Sequence, residues 1–383
     1  MEIIENNETT TIVTNDPFVE LKKLLGKSND QKYRYLGGAV GVVNYDSIRL
    51  VENISEESNL TQPIMEFGIY DDGLLYDNVE KKLFYFYHDV NRYDQLIVSD
   101  DSFDKFHSSE VTPNMDKEKF SSIVNKAKQY IHDGDIFQVV LSRKFAFDTS
   151  GDNLTLYKTL RKLNPSPYMY HLKQDSKTII GASPEMLVRI TDDKVETFPI
   201  AGTRKITDNE EKNKALSDEL IHDEKELAEH TMLVDLGRND IGRVCKYGTV
   251  HPESLMQIKR FSHVQHIVSH VVGNLDSKND MFDAFQAVFP AGTVSGAPKV
   301  RAMQIIDELE AEERGPYAGA VGYFSYNGCC DFAIAIRSIF IENNKGFVQS
   351  GAGIVSDSIA ENEFKETEHK AGAMLQALKE ASD

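Results

Sequence analysis

The residues best suited to chemistry are glutamates spaced three positions apart in two separate segments. Glu226 and Glu229 lie in the run KELAEHTMLVDL, and Glu363 and Glu366 lie in ENEFKETEHK. Residues three or four apart share one face of a helix, so each pair presents its carboxylates in one direction. Carboxylate oxygens are the ligands that a hard divalent cation prefers. The pattern predicts a magnesium site, with two glutamates as direct ligands and two acting through water.

A solvated helix face produces the same glutamate pairs, because charged residues at this spacing also line exposed helices. The repetition of the pair in a second segment favours the metal site. The formal charge of −19 at pH 7 argues against nucleic acid as a partner. An anionic substrate would need local cations, and Lys370, four residues after Glu366, is one candidate.

The elements that must position these glutamates can be predicted from hydrophobic spacing. Helices are predicted over residues 208–236, 262–272, 298–310 and 361–380, and strands over 178–190, 194–200, 319–326, 331–341 and 346–355. The hairpin-like spacing of the late strands predicts an α+β protein built on large antiparallel sheets. With 383 residues and 40% hydrophobic side chains, the chain can bury a substantial core.

Composition and turn signals divide the chain. Short strand-like runs fill the first hundred residues, and the polar stretch 101–116 ends in a turn-prone Pro-Asn pair. We therefore distinguish a β-rich N-terminal region, 1–115, from a larger region, 116–383. The apolar runs are too short for a membrane span and the acidic N-terminus is unlike a secretion signal, so we expect a cytoplasmic protein without membrane contact. The cysteines Cys245, Cys329 and Cys330 have the spacing of neither a zinc site nor a disulfide framework.

Several stretches, most of them containing glycine, follow one another in the order found in one enzyme family. They are GASPEMLVRI at 181–190, TFPIAGTRK at 197–205, AEHTMLVDLGRND at 228–240, AGTVSGAPKVRAM at 291–303, YAGAVGYF at 317–324, DFAIAIRSI at 331–339 and QSGAGIVSDS at 349–358. The set resembles the chorismate-utilising enzymes, most closely the large synthase subunit, component I, of anthranilate synthase. The resemblance is dense over residues 115–383 and looser over 33–52. It implies antiparallel β-sheets packed face to face with helices on the outside.

The resemblance also implies roles for the four glutamates. Glu229 and Glu366 match the direct magnesium ligands, and Glu226 and Glu363 match residues that act beside them through water. The bound ion would hold the ring carboxylate of chorismate and aid departure of its hydroxyl group.

Four further positions match catalytic or ring-lining residues of the family. Glu185 matches the general acid that protonates the leaving hydroxyl, which requires a pKa raised by burial and neighbouring carboxylates. Gly202 and Thr203 would line the ring. His266 matches the residue that assists pyruvate elimination. A histidine on an apolar helix is more often a core residue, as we expect for His263 and His270.

A second group would bind the enolpyruvyl carboxylate of chorismate. Arg337 and Tyr317 match the pair that grips it, and the guanidinium fork suits that task. Gly351 and Gly353 would add backbone N–H donors, and Lys370 a further positive charge. An arginine in an apolar strand can also be the partner of an internal acid, and only the motif favours the binding role.

Two positions separate the branches of the family. Gln138 stands where enzymes that add water to chorismate carry a lysine base, and Ala201 stands where many aminodeoxychorismate synthases carry a nucleophilic lysine. The expected reaction is therefore chorismate plus ammonia giving anthranilate and pyruvate through aminodeoxyisochorismate, in tryptophan biosynthesis. The alternatives are an aminodeoxychorismate synthase component I of the folate branch, or a non-catalytic chorismate-binding regulatory subunit.

Ammonia needs a source, and the sequence carries no Cys-His-Glu glutaminase signature. A separate glutamine amidotransferase subunit, component II, is implied, in a heterotetramer with two copies of each chain. The N-terminal region is shorter than the family's and lacks its Leu-Leu-Glu-Ser motif, which helps to bind tryptophan. We therefore expect inhibition by tryptophan to be reduced or absent.

Overall fold

The computed structural model describes residues 1–5, 8–54, 60–96, 105–261 and 264–382. Its helices are α1 (Pro17–Leu24), α2 (Lys117–His132), α3 (Asn153–Leu163), α4 (Glu210–Leu220), α5 (Glu224–Gly242), α6 (Met281–Val288), α7 (Gly292–Ser295), α8 (Lys299–Leu309) and α9 (Ala360–Ser382), with 3₁₀ turns at Tyr45–Leu50 and Tyr93–Gln95. Its strands are β1 (Glu2–Glu5), β2 (Glu8–Thr11), β3 (Gly38–Val43), β4 (Met65–Tyr70), β5 (Asp72–Asp77), β6 (Lys82–Tyr87), β7 (His107–Ser108), β8 (Thr112–Pro113), β9 (Gln138–Ser150), β10 (Tyr168–Gln174), β11 (Lys177–Ser183), β12 (Met186–Thr191), β13 (Lys194–Thr197), β14 (Ile200–Lys205), β15 (His251–Arg260), β16 (Val264–Asn274), β17 (Gly296–Ala297), β18 (Ala320–Ser325), β19 (Cys330–Ile334), β20 (Ser338–Glu342) and β21 (Lys345–Ile354).

Two large antiparallel sheets form the framework. The first runs β14-β16-β13-β12-β19-β18-β3-β4, with β15 also on β16; the second runs β10-β11-β20-β21-β9-β17, with β7 and β8 on β9. The largest core cluster joins Val188 and Phe332 of the first sheet to Ile179 and Phe340 of the second, as expected for sheets packed face to face. The predicted α+β class is therefore confirmed.

Helices α3 and α9 cover the second sheet from outside. Met374 and Leu378 of α9 pack with Leu160 of α3 against that sheet. Within α9 the buried residues Thr367, Ala371, Met374, Ala377 and Leu378 recur every three or four positions, which is why this segment folds as an amphipathic helix. Among the described helices, none is both long and apolar enough to cross a membrane.

The N-terminal region contributes strands to the first sheet. β3 pairs with β18, so that Val42 lies opposite Val321 and Gly41 opposite Gly322. β4 then pairs with β3 and forms the edge of the sheet. The division into 1–115 and 116–383 stays a prediction.

Two of the predicted helices differ from the structure. Residues 262–272 were expected as a helix, but Val264–Asn274 is the strand β16, held between neighbours on both sides. Its β-branched residues favour a strand, and residues 262 and 263, including His263, lie outside the described residues. The helix predicted over 208–236 is interrupted after Leu220, and Asp223 caps α5 by accepting hydrogen bonds from the backbone N–H groups of Lys225 and Glu226.

Candidate active site

Glu185 lies between β11 and β12 and is partly buried. Its Oε1 accepts a hydrogen bond of 2.9 Å from Oγ1 of Thr293. Burial raises the pKa of Glu185 to about 7, whereas the Thr293 hydrogen bond and the Lys370 charge act to lower it. Neighbouring carboxylates, also expected to raise this pKa, do not contribute in the described structure. Glu185 can therefore carry a proton near neutral pH, as a general acid requires.

Gly202 and Thr203 lie in β14 where its register with β16 shifts. Gly202 has a φ of +64°, and a Cβ there would lie 2.8 Å from Leu220 Cδ1 and 3.0 Å from Glu226 Oε2. The position needs glycine both for its left-handed backbone and for the close approach of the Glu226 carboxylate. The bulge therefore brings β14 against the first glutamate pair.

His266 faces this bulge from β16. Its Nδ1 lies 2.7 Å from the Gly202 carbonyl oxygen and 3.1 Å from Thr203 Oγ1. A carbonyl oxygen only accepts, so Nδ1 carries the proton and Nε2 keeps its lone pair. Burial lowers the pKa of His266, and the positive charge of Arg337 lowers it further. The hydrogen bond to Gly202 acts in the opposite direction and raises this pKa. The neutral imidazole can therefore act as a base.

His270, expected as an ordinary core histidine, lies four residues after His266 in β16. Two carboxylates contact its ring. Its ring nitrogens lie 2.9 Å from Glu196 and 2.8 Å from Glu253. The ring also stacks on Phe198 at 4.1 Å. These contacts explain its place without a catalytic role.

The glutamates of α5 and α9 interact electrostatically. Burial, and then the charges of Glu226 and Glu366, raise the pKa of Glu229, while a hydrogen bond from Gln138 opposes the rise. That bond joins Gln138 Nε2 to Glu229 Oε1 at 3.1 Å. Burial and the Glu366 charge likewise raise the pKa of Glu363. The two helices therefore bring their carboxylates into one negatively charged region.

Two of these glutamates already have cationic partners. Glu226 lies 3.2 Å from Arg204, which also binds Asp223 at 3.0 Å. Glu366 lies 2.6 Å from the Lys370 ammonium. Glu229, in contrast, has only the Gln138 amide as a hydrogen-bond partner in the part of the chain that the structure describes.

The residues present fit magnesium in donor chemistry, although they do not form a complete cage. Over the described ranges, no three His, Cys, Asp or Glu side chains lie close enough to hold a metal ion. Magnesium keeps several waters and needs only one or two protein carboxylates. Glu229 is buried beside like charges that raise its pKa, and it forms no salt bridge among the described residues, although the Lys370 charge acts to lower that pKa. A bound cation would relieve this environment.

Arg337 supplies a cation without a counter-ion. It has a φ of +52°, and its NH1 donates 2.8 Å to the backbone oxygen of Lys370. In the described residues no carboxylate forms a salt bridge with it, although the charge of Glu366 acts on it at longer range. Burial lowers its pKa from the ordinary value, but the group stays charged. A partly buried guanidinium in this state is suited to an anionic ligand.

Tyr317 and Lys370 complete this side of the site. Burial raises the pKa of Tyr317 to about 12, so its hydroxyl keeps its proton. A Cβ at Gly351 would lie 2.9 Å from the Tyr317 hydroxyl, and one at Gly353 would lie 2.8 Å from Gln138 Nε2. Lys370 donates 3.0 Å to the Gly351 carbonyl oxygen. The glycines make room for neighbouring side chains, and their role as N–H donors stays a prediction.

The structure thus links most of the predicted residues through a few shared contacts. Lys370 influences Glu185, pairs with Glu366 and touches Arg337 and Gly351. Two contributors were missed from the sequence. Thr293 lies in the quoted AGTVSGAPKVRAM stretch but was assigned no role, and Arg204 follows directly after the predicted Thr203.

Comparisons with known proteins identify the family of the chain. The family model described as chorismate binding enzyme matches residues 2–376. Anthranilate synthase component 1 of Acetivibrio thermocellus is 45% identical over 413 aligned positions, covering 100% of this chain and 84% of the relative. Aminodeoxychorismate synthase component 1 of Bacillus subtilis is 43% identical, covering 93% of this chain and 80% of the relative. The crystal structure of anthranilate synthase component I from Streptococcus pneumoniae matches with a TM-score of 0.88 and 39% identity, covering 97% of this chain and 89% of that one. The chain belongs to the chorismate binding enzyme family.

Proposed function

We propose that this chain is the synthase component of an anthranilate synthase. It converts chorismate and ammonia to anthranilate and pyruvate through aminodeoxyisochorismate, in tryptophan biosynthesis. One observation carries the proposal: Lys370 connects a protonatable acid, Glu185, to Arg337, which forms no salt bridge within the described part of the chain. An acid for a leaving hydroxyl and a cation for a carboxylate are what this reaction needs in one site.

Substrate binding follows from the charges. Arg337 and the Tyr317 hydroxyl hold the enolpyruvyl carboxylate, and Lys370 adds positive charge beside them. Gly202 and Thr203 lie against the ring. The four glutamates Glu226, Glu229, Glu363 and Glu366 would hold magnesium, which supplies positive charge for the ring carboxylate and polarises the departing hydroxyl.

Proton transfers then fall to two residues with opposite properties. Glu185, protonated near neutral pH, gives its proton to the hydroxyl group, which leaves as water while ammonia attacks the ring. The ammonium group formed by this attack then releases one proton to give the amine. His266, neutral and with a free Nε2, accepts the ring proton as pyruvate is eliminated. Each group starts in the protonation state that its step requires.

The second candidate is an aminodeoxychorismate synthase, since a relative of that name is almost as similar as those named anthranilate synthase. Ala201 favours the anthranilate reaction, because a methyl group cannot act as the amine nucleophile found at this position in many enzymes of the other branch. A non-catalytic regulatory subunit is disfavoured by the presence of Glu185, His266, Arg337 and all four glutamates.

The partner is a separate glutamine amidotransferase, component II, that supplies ammonia. The relatives' name, component 1, supports a multi-component enzyme, and we propose that the glutaminase activity belongs to the other component. We further propose a heterotetramer of two copies of each chain, in the cytoplasm. Reduced or absent tryptophan inhibition belongs to the same proposal, and a calorimetric titration showing micromolar binding would refute it.

Pyruvate release separates the candidate functions. Purified chain is incubated with chorismate, an ammonium salt and magnesium, pyruvate is followed with lactate dehydrogenase and NADH, and the aromatic product is identified by mass. We expect anthranilate and pyruvate in equal amounts. Aminodeoxychorismate without pyruvate would establish the second candidate, and calorimetric binding of chorismate without turnover would establish the regulatory one.

A further inference from the structure

A fully buried ion pair lies behind the site and has no part in the mechanism above. Arg314 and Glu310 have side chains that are 2% and 5% exposed. The guanidinium binds the carboxylate twice, with Nε 2.9 Å from Oε2 and NH2 2.7 Å from Oε1. Burying both charges costs solvation that the pair only partly recovers, so a purely structural need could be met by apolar residues.

The remaining hydrogen bonds of this pair reach other segments, mostly through their backbone, and the Ser142 hydroxyl also donates 3.0 Å to Glu310 Oε1. Arg314 NH1 donates 2.7 Å to the Val294 carbonyl oxygen, and NH2 donates 2.7 Å to that of Val140. Glu310 Oε1 accepts from the Ser142 backbone N–H at 2.7 Å. One ion pair therefore joins β9, α7 and the chain after α8.

Each of these segments carries a residue of the site. Val294 follows Thr293, which binds Glu185. Val140 lies two residues beyond Gln138, which binds Glu229. The Tyr317 backbone N–H donates 3.2 Å to the Arg314 carbonyl oxygen, and its ring centre lies 5.7 Å from the guanidinium. Ser142 lies opposite Gly351 in the sheet.

We propose that Arg314 and Glu310 are positioning residues, which hold the segments of Thr293, Gln138 and Tyr317 in register around the bound substrate. The inference rests on the proposed function, because it concerns the placement of groups for that reaction. The planar guanidinium reaches two carbonyl oxygens and both carboxylate oxygens at once, which a lysine ammonium cannot do. Misplacing reacting groups by about 1 Å can cost about 100-fold in rate.

The pair is reachable by a small cation. Arg314 and Glu310 form part of the wall of a cavity of about 270 Å³, together with Tyr45, Asp46 and Asp307. Guanidinium in solution could enter this cavity and occupy the place of a removed arginine side chain, with Glu310 as its partner.

The first test is Arg314→Lys, which keeps the charge and protects Glu310 from being left unpaired. We expect kcat for chorismate turnover to fall about 30-fold, with KM for chorismate changed less than about threefold, because positioning acts on the reacting groups. Circular dichroism and thermal unfolding confirm that the variant is folded. An unchanged kcat in folded Arg314→Lys would overturn the inference.

Chemical rescue distinguishes positioning from bulk stability. Arg314→Ala should lose about 100-fold or more in kcat, and added guanidinium chloride at non-denaturing concentration should restore at least a tenth of it, whereas sodium chloride at equal ionic strength should not. The control is Arg189→Ala, which removes an arginine that is 22% exposed and bound to Asp331 at 2.8 Å. That variant should lose stability but keep its kcat, with no response to guanidinium.

The outcomes separate this inference from the proposed function. Product identity in the wild type tests the function, while the ratio of variant to wild-type chorismate turnover tests positioning, whichever product forms. Loss of turnover in Arg314→Ala that only parallels its unfolded fraction, without rescue, would show a structural pair and overturn the inference.

Discussion

At the scale of single residues, opposing interactions set the pKa of Glu185. Burial raises its pKa from the ordinary 4.5 to about 7, and Thr293 and Lys370 limit the rise. The folded chain therefore binds this proton more tightly than the unfolded chain. The stability that the protonated group contributes is present below about pH 4.5 and is lost as pH rises toward 7.

Glu185→Gln should remove this pH-dependent loss. We expect the variant to be more stable than the wild type by about 1 to 3 kcal/mol at pH 8, with the gain vanishing at pH 4, since one pKa unit corresponds to about 1.4 kcal/mol. Activity should fall by about 10²-fold or more, because the amide cannot protonate the leaving group. Urea unfolding at both pH values measures the first effect; equal stability differences at pH 4 and pH 8 would contradict it.

Thr293 should set the pH at which activity is lost. Its hydrogen bond lowers the pKa of Glu185, so Thr293→Val should raise that pKa further. At constant free ammonia, kcat/KM of the wild type should decline above about pH 7, and the decline should move to higher pH in Thr293→Val. Thr293→Ser keeps the hydroxyl and is expected to retain the wild-type profile. A shift of the decline to lower pH in Thr293→Val would show that a group other than Glu185 controls the loss of activity.

Glu366 tests the metal assignment. Glu366→Gln should weaken magnesium binding by about 10-fold or more, since one negatively charged ligand is lost. Isothermal titration of the free protein with magnesium measures this without reference to activity, and turnover at rising magnesium reports the same change. Glu368→Gln, an exposed glutamate on the same helix, is the control. Full magnesium affinity in Glu366→Gln would refute the assignment.

At the scale of elements, the bulge in β14 brings the ring-lining residues to the metal-binding helix. Gly202→Ala should cost about 2 to 4 kcal/mol, from left-handed strain and from contacts with Leu220 and Glu226. Gly248→Ala has similar strain, at a φ of +78°, but no atom within 4 Å of the new Cβ. We expect it to cost only about 1 kcal/mol and to leave activity unchanged.

Urea unfolding and chorismate turnover measure both glycine variants. Activity should fall in Gly202→Ala alone, because only there does the added methyl group press on Glu226. Equal losses of stability and activity in the two variants would show that the close approach of Glu226 to Gly202 does not contribute to activity.

Some elements of the larger region could be predicted from the sequence because their hydrophobic periods are clear. The helices predicted over 298–310 and 361–380 correspond to α8 and α9 within two residues at each end. The error at 262–272 arose because the spacing of the buried residues in β16 also fits a helix. The segment is a strand because it pairs with β13, β14 and β15. Asp223 was a visible cap signal for α5.

The site could be predicted only in part. Residues in recognisable motifs were found, whereas the pairing of Thr293 with Glu185 joins positions 108 residues apart. Arg204 was missed for the same reason, since its partner Glu226 belongs to another element. Contacts between distant segments depend on how the sheets and helices pack. The hydrophobic periodicity of a sequence does not predict such contacts.

At the scale of the molecule, charge is distributed unevenly. A chain of net charge −19 gathers Arg337, Lys370 and Arg204 around a group of glutamates, so that an anionic substrate meets cations only locally. The first sheet draws strands from both ends of the sequence, since β3 pairs with β18. The site therefore depends on the whole chain being folded, while ammonia is expected from a partner.

The most direct test of the account is the fluorescence of anthranilate formed by the purified chain from chorismate. We predict a steady increase with an ammonium salt and magnesium at mildly alkaline pH, and none when magnesium is chelated or when glutamine replaces ammonium. Consumption of chorismate without anthranilate fluorescence, or anthranilate formation that persists fully after magnesium is removed, would contradict the central claim.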